Sequence, residues 1–162
     1  MRVPRLFRVI LPVPDIERAA AFYARVLGTP GERVWESRHY FDCGGTLLAL
    51  LDPRRDGFGR DAAPSPELVY FAVDDLEEVL ARVTAAGGRC RDDGIAGRAW
   101  GERSFYAEDP FGNPLCFVDA ATVFTGREQP GRPVFDRQVQ TEISHRGHRG
   151  HGGSDAAPPC PP

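Results

Sequence analysis

The chain has 162 residues, of which 41% are apolar, 27% charged and 10% aromatic, the composition of one globular domain with enough apolar material for a core. A net charge of −3 gives no basic field for a phosphate-rich partner, so nucleic acid is not expected to bind. All 20 basic residues are arginine, which removes any chemistry that needs a lysine amine.

The N-terminal stretch MRVPRLFRVILPVPD is broken by Pro12 and Pro14 and has no small-residue cleavage pattern, so it does not read as a signal peptide. No apolar run reaches membrane-spanning length, and a membrane partner is not expected. Cys43, Cys90, Cys116 and Cys160 form no CxxC pair, so they read as free thiols of a cytoplasmic protein rather than as a disulfide or zinc framework.

In chain order, an apolar run at Phe7 to Val13 predicts a strand, and Asp15 caps a helix with Ile16, Ala19, Ala20 and Tyr23 on one face. Gly28 closes that helix. Strands follow at Arg33 to Ser37, Tyr40 to Cys43 and Thr46 to Leu51, with Gly44-Gly45 as a hairpin turn. The stretch DPRRDGFGRDAAPSP has the Pro, Gly and charge content of a linker. The same order then repeats. A strand at Leu68 to Val73 precedes an Asp75-capped helix carrying Leu76, Val79, Leu80 and Val83, which the Gly87-Gly88 pair closes. Strands are predicted near Gly88 to Arg91, Arg103 to Ala107 and Pro114 to Val118. Asp109, Gly112 and Asn113 supply the last turn and are assigned no chemistry. Phe22 and Tyr23 are expected in the core. The segment 125–162 is rich in Gly, Pro, Arg and His and is expected to be largely disordered. Its HRGHRGH pattern is low complexity rather than an evolved metal site.

The repeated segments VPDIERAAAFYARVLG and SFYAEDPFGNPLCFVD resemble the vicinal oxygen chelate superfamily, which holds glyoxalases, bleomycin-resistance proteins and extradiol dioxygenases. The resemblance covers about residues 4 to 124. It implies an α+β fold in which two βαβββ modules form a curved, partly closed eight-stranded mixed sheet around a cavity, with the helices outside. Module one spans about 4–52, the linker 52–66 and module two 67–124. In the family's enzymes, His, Gln or Glu from the first and last strands of each module hold a divalent metal. The matching positions here are Arg8, Leu68, Ala49 and Cys116, which do not make a usual ligand set. The resemblance therefore implies no metal and no cofactor, and metal-dependent catalysis is disfavoured.

Side-chain alternation along strands lists the cavity lining as Arg8, Ile10, Tyr40, Asp42, Leu47, Ala49, Leu51, Leu68, Tyr70, Ser104, Tyr106, Cys116 and Val118, with Trp100 from a loop. Three fates are open for Arg8: it pairs with Asp42, it anchors an anionic group of a ligand, or it points to solvent. The tyrosines read first as packed side chains and Cys116 as a buried hydrophobe. The expected function is a metal-free protein sequestering a partly aromatic small molecule, working as a homodimer. One alternative is an enzyme of the same superfamily drawing on His39, Asp42, Glu36 or Glu102. The other is a dimeric interaction module whose cavity is filled.

Overall fold

The computed structural model describes residues 2–126; the readings of the tail beyond them, including HRGHRGH, lie outside the described residues. Module one runs β1 (Arg8–Pro12), α1 (Ile16–Leu27), β2 (Glu32–Trp35), β3 (Arg38–Cys43) and β4 (Thr46–Leu51). Module two runs β5 (Val69–Val73), α2 (Leu76–Ala85), β6 (Arg89–Cys90), β7 (Ala96–Gly97), β8 (Arg103–Glu108) and β9 (Pro114–Asp119), and ends in a 3-10 turn over Ala120–Thr122.

Both helices start where the sequence places them. The Asp15 carboxylate accepts from the backbone of Glu17 and Arg18, and that of Asp75 from Glu78, which satisfies amides that the first helical turn leaves unpaired. At its other end α1 stops at Gly28, whose φ of 70° lets its N–H reach back to the Ala24 carbonyl. The predicted faces are the buried ones. Ile16, Ala19, Ala20, Phe22, Tyr23 and Val26 of α1 are buried, and so are Leu76, Val79 and Val83 of α2; Leu80 packs at the margin of the same core.

The sheet departs from expectation. The strands form two separate sheets, β1-β4-β3-β2 and β5-β9-β8-β6, with β7 also paired to β8. Within them β1/β4 and β5/β9 are parallel and the other pairs antiparallel. No partly closed eight-stranded sheet surrounds a cavity among the described residues. The reason lies in the core. One apolar cluster joins Leu11, Phe41 and Leu50 of the first sheet, both helices, and Phe71, Phe105 and Phe117 of the second. The helix-bearing face of each sheet is thus committed to that shared core, and β1 and β5 remain at sheet edges. The opposite faces look outward. In module two the strand predicted at Gly88 to Arg91 shrinks to Arg89–Cys90, and a further short strand, Ala96–Gly97, also pairs with β8.

Polar contacts fasten the modules together. The Tyr23 hydroxyl donates to Asp109 Oδ2 at 3.0 Å, and Asn113 Nδ2 donates to the Pro12 carbonyl at 3.1 Å. Ser65 N in the linker donates to Asn113 Oδ1 at 2.8 Å. Asp109 and Asn113 therefore do more than shape a turn: both are buried and hold the turn against module one. The thiol expectation also needs a correction. Cys43 and Cys116 are free, whereas Cys90 is engaged.

Candidate ligand-binding site

Strand register decides which side chains share a face. Across module one, Arg8, Leu47 and Asp42 lie in one row and Ile10, Ala49 and Tyr40 in the next. Across module two, Tyr70, Cys116 and Tyr106 form a row, and Val118 lies beside Ser104. The alternate residues, such as Leu48, Leu50, Phe105 and Phe117, enter the shared core. The predicted lining thus occupies the faces turned away from the helices, as the alternation requires.

These faces are covered unevenly. Ile10 keeps 50% and Tyr70 55% of their surface exposed, while Ala49, Leu51, Ser104, Cys116 and Val118 are almost wholly covered. A groove of about 430 Å³ runs between the first strands of the two modules, and Leu6, Val9, Leu47, Leu68 and Tyr70 are among its walls. It brings Leu47, Leu68 and Tyr70 together, and it is mostly apolar in character.

Arg8 does not pair with Asp42. The Asp42 carboxylate accepts instead from Gly45 N at 2.7 Å, closing the hairpin between β3 and β4. The Arg8 guanidinium lies against two rings, 5.1 Å from the centroid of Phe7 and 4.9 Å from that of Tyr40. Its Nε is buried and has no hydrogen-bond partner. Such stacking orients a guanidinium without neutralising it.

Arg38 and Arg98, which also lie on or against these faces, are neutralised. Arg38 is clamped by Asp56 through Nε at 3.0 Å and Nη2 at 2.7 Å. Arg98 crosses module two, donating through Nη2 to Asp92 at 2.7 Å and through Nε to Ser104 Oγ at 2.8 Å, and lying 4.5 Å from the Tyr106 centroid. Trp100 Nε1 donates to Glu102 at 2.6 Å, and the second Glu102 oxygen accepts from Phe124 N at 2.9 Å. The 91–102 loop is thereby tied down over Ser104. The sequence reading singled out Trp100 in this loop but missed Arg98, Asp92, Arg38 and Asp56. Arg98, Asp92 and Asp56 lie in loops that give no period to mark them, and Arg38 lies two residues ahead of the strand start predicted at Tyr40.

Acid–base chemistry finds little support in this arrangement. Burial pushes Tyr70 up to about 12, with Tyr106 next in effect, and Tyr106 is itself raised by burial. Both hydroxyls stay protonated near neutral pH. Burial also pushes the Cys116 thiol up to about 12, and the nearby Arg98 only partly offsets this. His39 is not at the mouth: it is buried among core residues, with Nε2 2.9 Å from the Pro30 carbonyl and Nδ1 unpaired. Glu36 is exposed, and Glu102 is consumed by Trp100 and Phe124. His39, Asp42, Glu36 and Glu102 are thus all committed or solvated separately.

The residues at the positions that the family resemblance assigns to a metal do not make a ligand set. Arg8 has no lone pair for a cation, Leu68 and Ala49 have no donor, and Cys116 is a protonated, buried thiol. Among the described residues, no group of three His, Cys, Asp or Glu side chains converges to hold an ion. No helix among them is long and apolar enough to cross a membrane.

Comparison with known proteins places this geometry. The family profile for the Glyoxalase/Bleomycin resistance protein/Dioxygenase superfamily matches residues 5–117. Among solved structures, similarity extends to a glyoxalase/bleomycin resistance protein from Albidiferax ferrireducens T118 with a TM-score of 0.61 at 23% identity, covering 69% of this chain and 95% of that one. A lactoylglutathione lyase from Agrobacterium tumefaciens gives 0.57 at 24% identity over 78% and 100% of the two chains. A glyoxalase/bleomycin resistance protein/dioxygenase from Nocardioides gives 0.57 at 21% identity over 83% and 92%. At these identities the likeness speaks for the fold. No curated protein matches the sequence.

Proposed function

We propose that this chain, which belongs to the glyoxalase/bleomycin resistance protein/dioxygenase superfamily, is a metal-free small-molecule-binding protein that takes a partly aromatic ligand on the faces its sheets turn away from the helices. The reading is supported by an aromatic-stacked arginine, two aliphatic side chains and a protonated thiol at the positions that the resemblance assigns to metal donors, beside an apolar groove between the modules. A concave, mostly apolar lining with a few orienting polar groups is the usual make-up of a small-molecule site.

We also propose a homodimer. Leu6, Phe7, Ile10 and Tyr70 are large apolar or aromatic side chains with half or more of their surface exposed on or beside the two edge strands. Large apolar side chains left exposed in this way suit an interaction surface, and a second copy laid over them would enclose the groove.

The test combines native mass spectrometry with elemental analysis of the full chain. Binding of aromatic small molecules from a diverse panel, at less than stoichiometric divalent metal, supports the reading. Stoichiometric metal that survives dialysis, or no retained compound across the panel, overturns it. Light scattering after gel filtration decides the dimer: a mass near 17.8 kDa would refute it.

A further inference from the structure

The reading above leaves the ligand's charge open, and the arginines decide it. Several guanidiniums lie on or against the outward faces, and those of Arg38, Arg98, Arg89 and Arg91 are matched to a carboxylate: Arg38 to Asp56, Arg98 to Asp92, and Arg89 and Arg91 to Glu108. Arg8 is the exception. Among the described residues its guanidinium has no ion pair and no hydrogen bond, its Nε is buried, and Asp42, the acid in the same cross-strand row, is turned into the Gly45 hairpin.

A partly covered cation without a counter-charge is costly to keep, because its lost hydration is not replaced by hydrogen bonds. The rings of Phe7 and Tyr40 hold the guanidinium plane but accept no hydrogen bond from its edge. That edge remains a fork of N–H donors, whose geometry matches the two oxygens of a carboxylate. Leu47 is the direct cross-strand partner of Arg8 and also a wall of the 430 Å³ groove, which continues past Leu68 to Tyr70. A cation without a counter-charge thus stands one cross-strand step from a wall of an apolar trough.

We propose that Arg8 is the anion anchor of the site and that the ligand is a small amphipathic carboxylate, its acid group on the Arg8 fork and its flat apolar body along Leu47, Leu68 and Tyr70. The inference rests on the small-molecule reading and adds to it the sign of the ligand's charge and its direction in the groove. Tyr70, another wall of the groove, offers a hydroxyl for a neutral polar substituent.

The test compares 2-naphthoate with 2-naphthamide on the full chain by isothermal titration calorimetry, alongside the Arg8→Met and Arg8→Lys variants. A charge-assisted fork predicts the carboxylate to bind about ten-fold or more tightly than the amide. Arg8→Met abolishes that preference, while Arg8→Lys, which keeps the charge and loses the fork, retains part of it. Raising the salt concentration weakens only the carboxylate. Equal binding of both probes, or a preference that survives Arg8→Met, overturns the inference and leaves the binding reading intact. No binding of either probe overturns both. If Arg8→Met instead dissociates a dimer and leaves the carboxylate preference unchanged, the counter-charge of Arg8 belongs to a second copy of the chain and the inference falls.

Discussion

The Tyr23 hydroxyl donates to Asp109 Oδ2 at 3.0 Å across 86 residues of sequence, joining α1 of one module to the β8–β9 turn of the other. Both side chains are buried, and the same Asp109 accepts from Phe111 N, Asn113 N and Asn113 Nδ2. Tyr23→Phe removes one donor from a buried carboxylate, so we expect a loss of about 1–3 kcal/mol in urea unfolding. The pH dependence has a definite sign. Burial and the Asp109 charge raise Tyr23 well above 10 in the folded state, so the unfolded chain releases this proton first. The stabilising contribution is whole below pH about 10 and declines above it. Tyr23→Phe removes that alkaline decline, and its absence from a wild-type titration would refute the assignment.

Gly88 sits in close contact with α2, β8 and the Phe22 ring of module one. Its φ is ordinary, yet an added Cβ would stand 2.7 Å from Val83 Cγ1, 2.9 Å from the Glu108 carbonyl and 2.9 Å from Phe22 Cε2. Backbone on one side and a core ring on the other leave no easy relief. Gly88→Ala is expected to cost about 1–3 kcal/mol through overpacking, despite alanine's entropic advantage. A thermal midpoint equal to or above that of the parent would contradict this packing.

The clamp between Arg38 and Asp56 gives an acid-side prediction. Hydrogen bonds from Arg38 and then Ser37 lower Asp56 to about 2, against an unfolded value of about 4. A depressed carboxylate stabilises the fold above the unfolded value, and that contribution disappears as pH falls toward the folded one. Asp56→Asn should therefore lower the midpoint of unfolding at pH 7, with the gap from wild type closing between pH about 4 and 2. A gap that stays constant across that range would show that Asp56 acts through packing alone.

What could be read from the sequence was what repeats with a period. The helix faces, the Asp15 and Asp75 caps and the strand alternation that puts Arg8, Ile10 and Tyr40 on one side all follow from periods of 3.6 and 2. The Thr46–Leu51 strand is found with its predicted ends. Contacts between distant segments carry no such period. Nothing local to Asp109 or Asn113 reveals that Tyr23 and Pro12 complete their hydrogen bonds. Strand alternation likewise fixes which side chains share a face but not whether two sheets join, so the expected curved, partly closed sheet gave way to two separate sheets. His39 illustrates the same limit. One histidine in a predicted folded region invites a functional role, whereas the strand register turns it inward against Phe41.

The 91–102 loop is held over module two by Arg98, which ties Asp92 at the loop's start to Ser104 just beyond its end. Beneath this crossing lie Ser104 and Cys116, with essentially no exposed surface. Arg98→Met keeps the aliphatic length and deletes the three hydrogen bonds, two of them to neutral oxygens and one to a carboxylate. Charge-assisted contacts of this kind are worth about 1.5–3 kcal/mol each, so amide hydrogen exchange across 91–102 should accelerate at least about ten-fold while β4 and α1 keep their protection. Trp100 emission should shift to the red as the ring gains water. Cys116 supplies the independent readout. In the parent, a thiol raised to about 12 beneath a closed loop should not react with a disulfide reagent at pH 8; in Arg98→Met, modification should become detectable in the native protein and slow again at lower pH. If exchange across the loop is unchanged, Trp100 and Glu102 hold the segment by themselves and Arg98 is a passive occupant of the Tyr106 ring face.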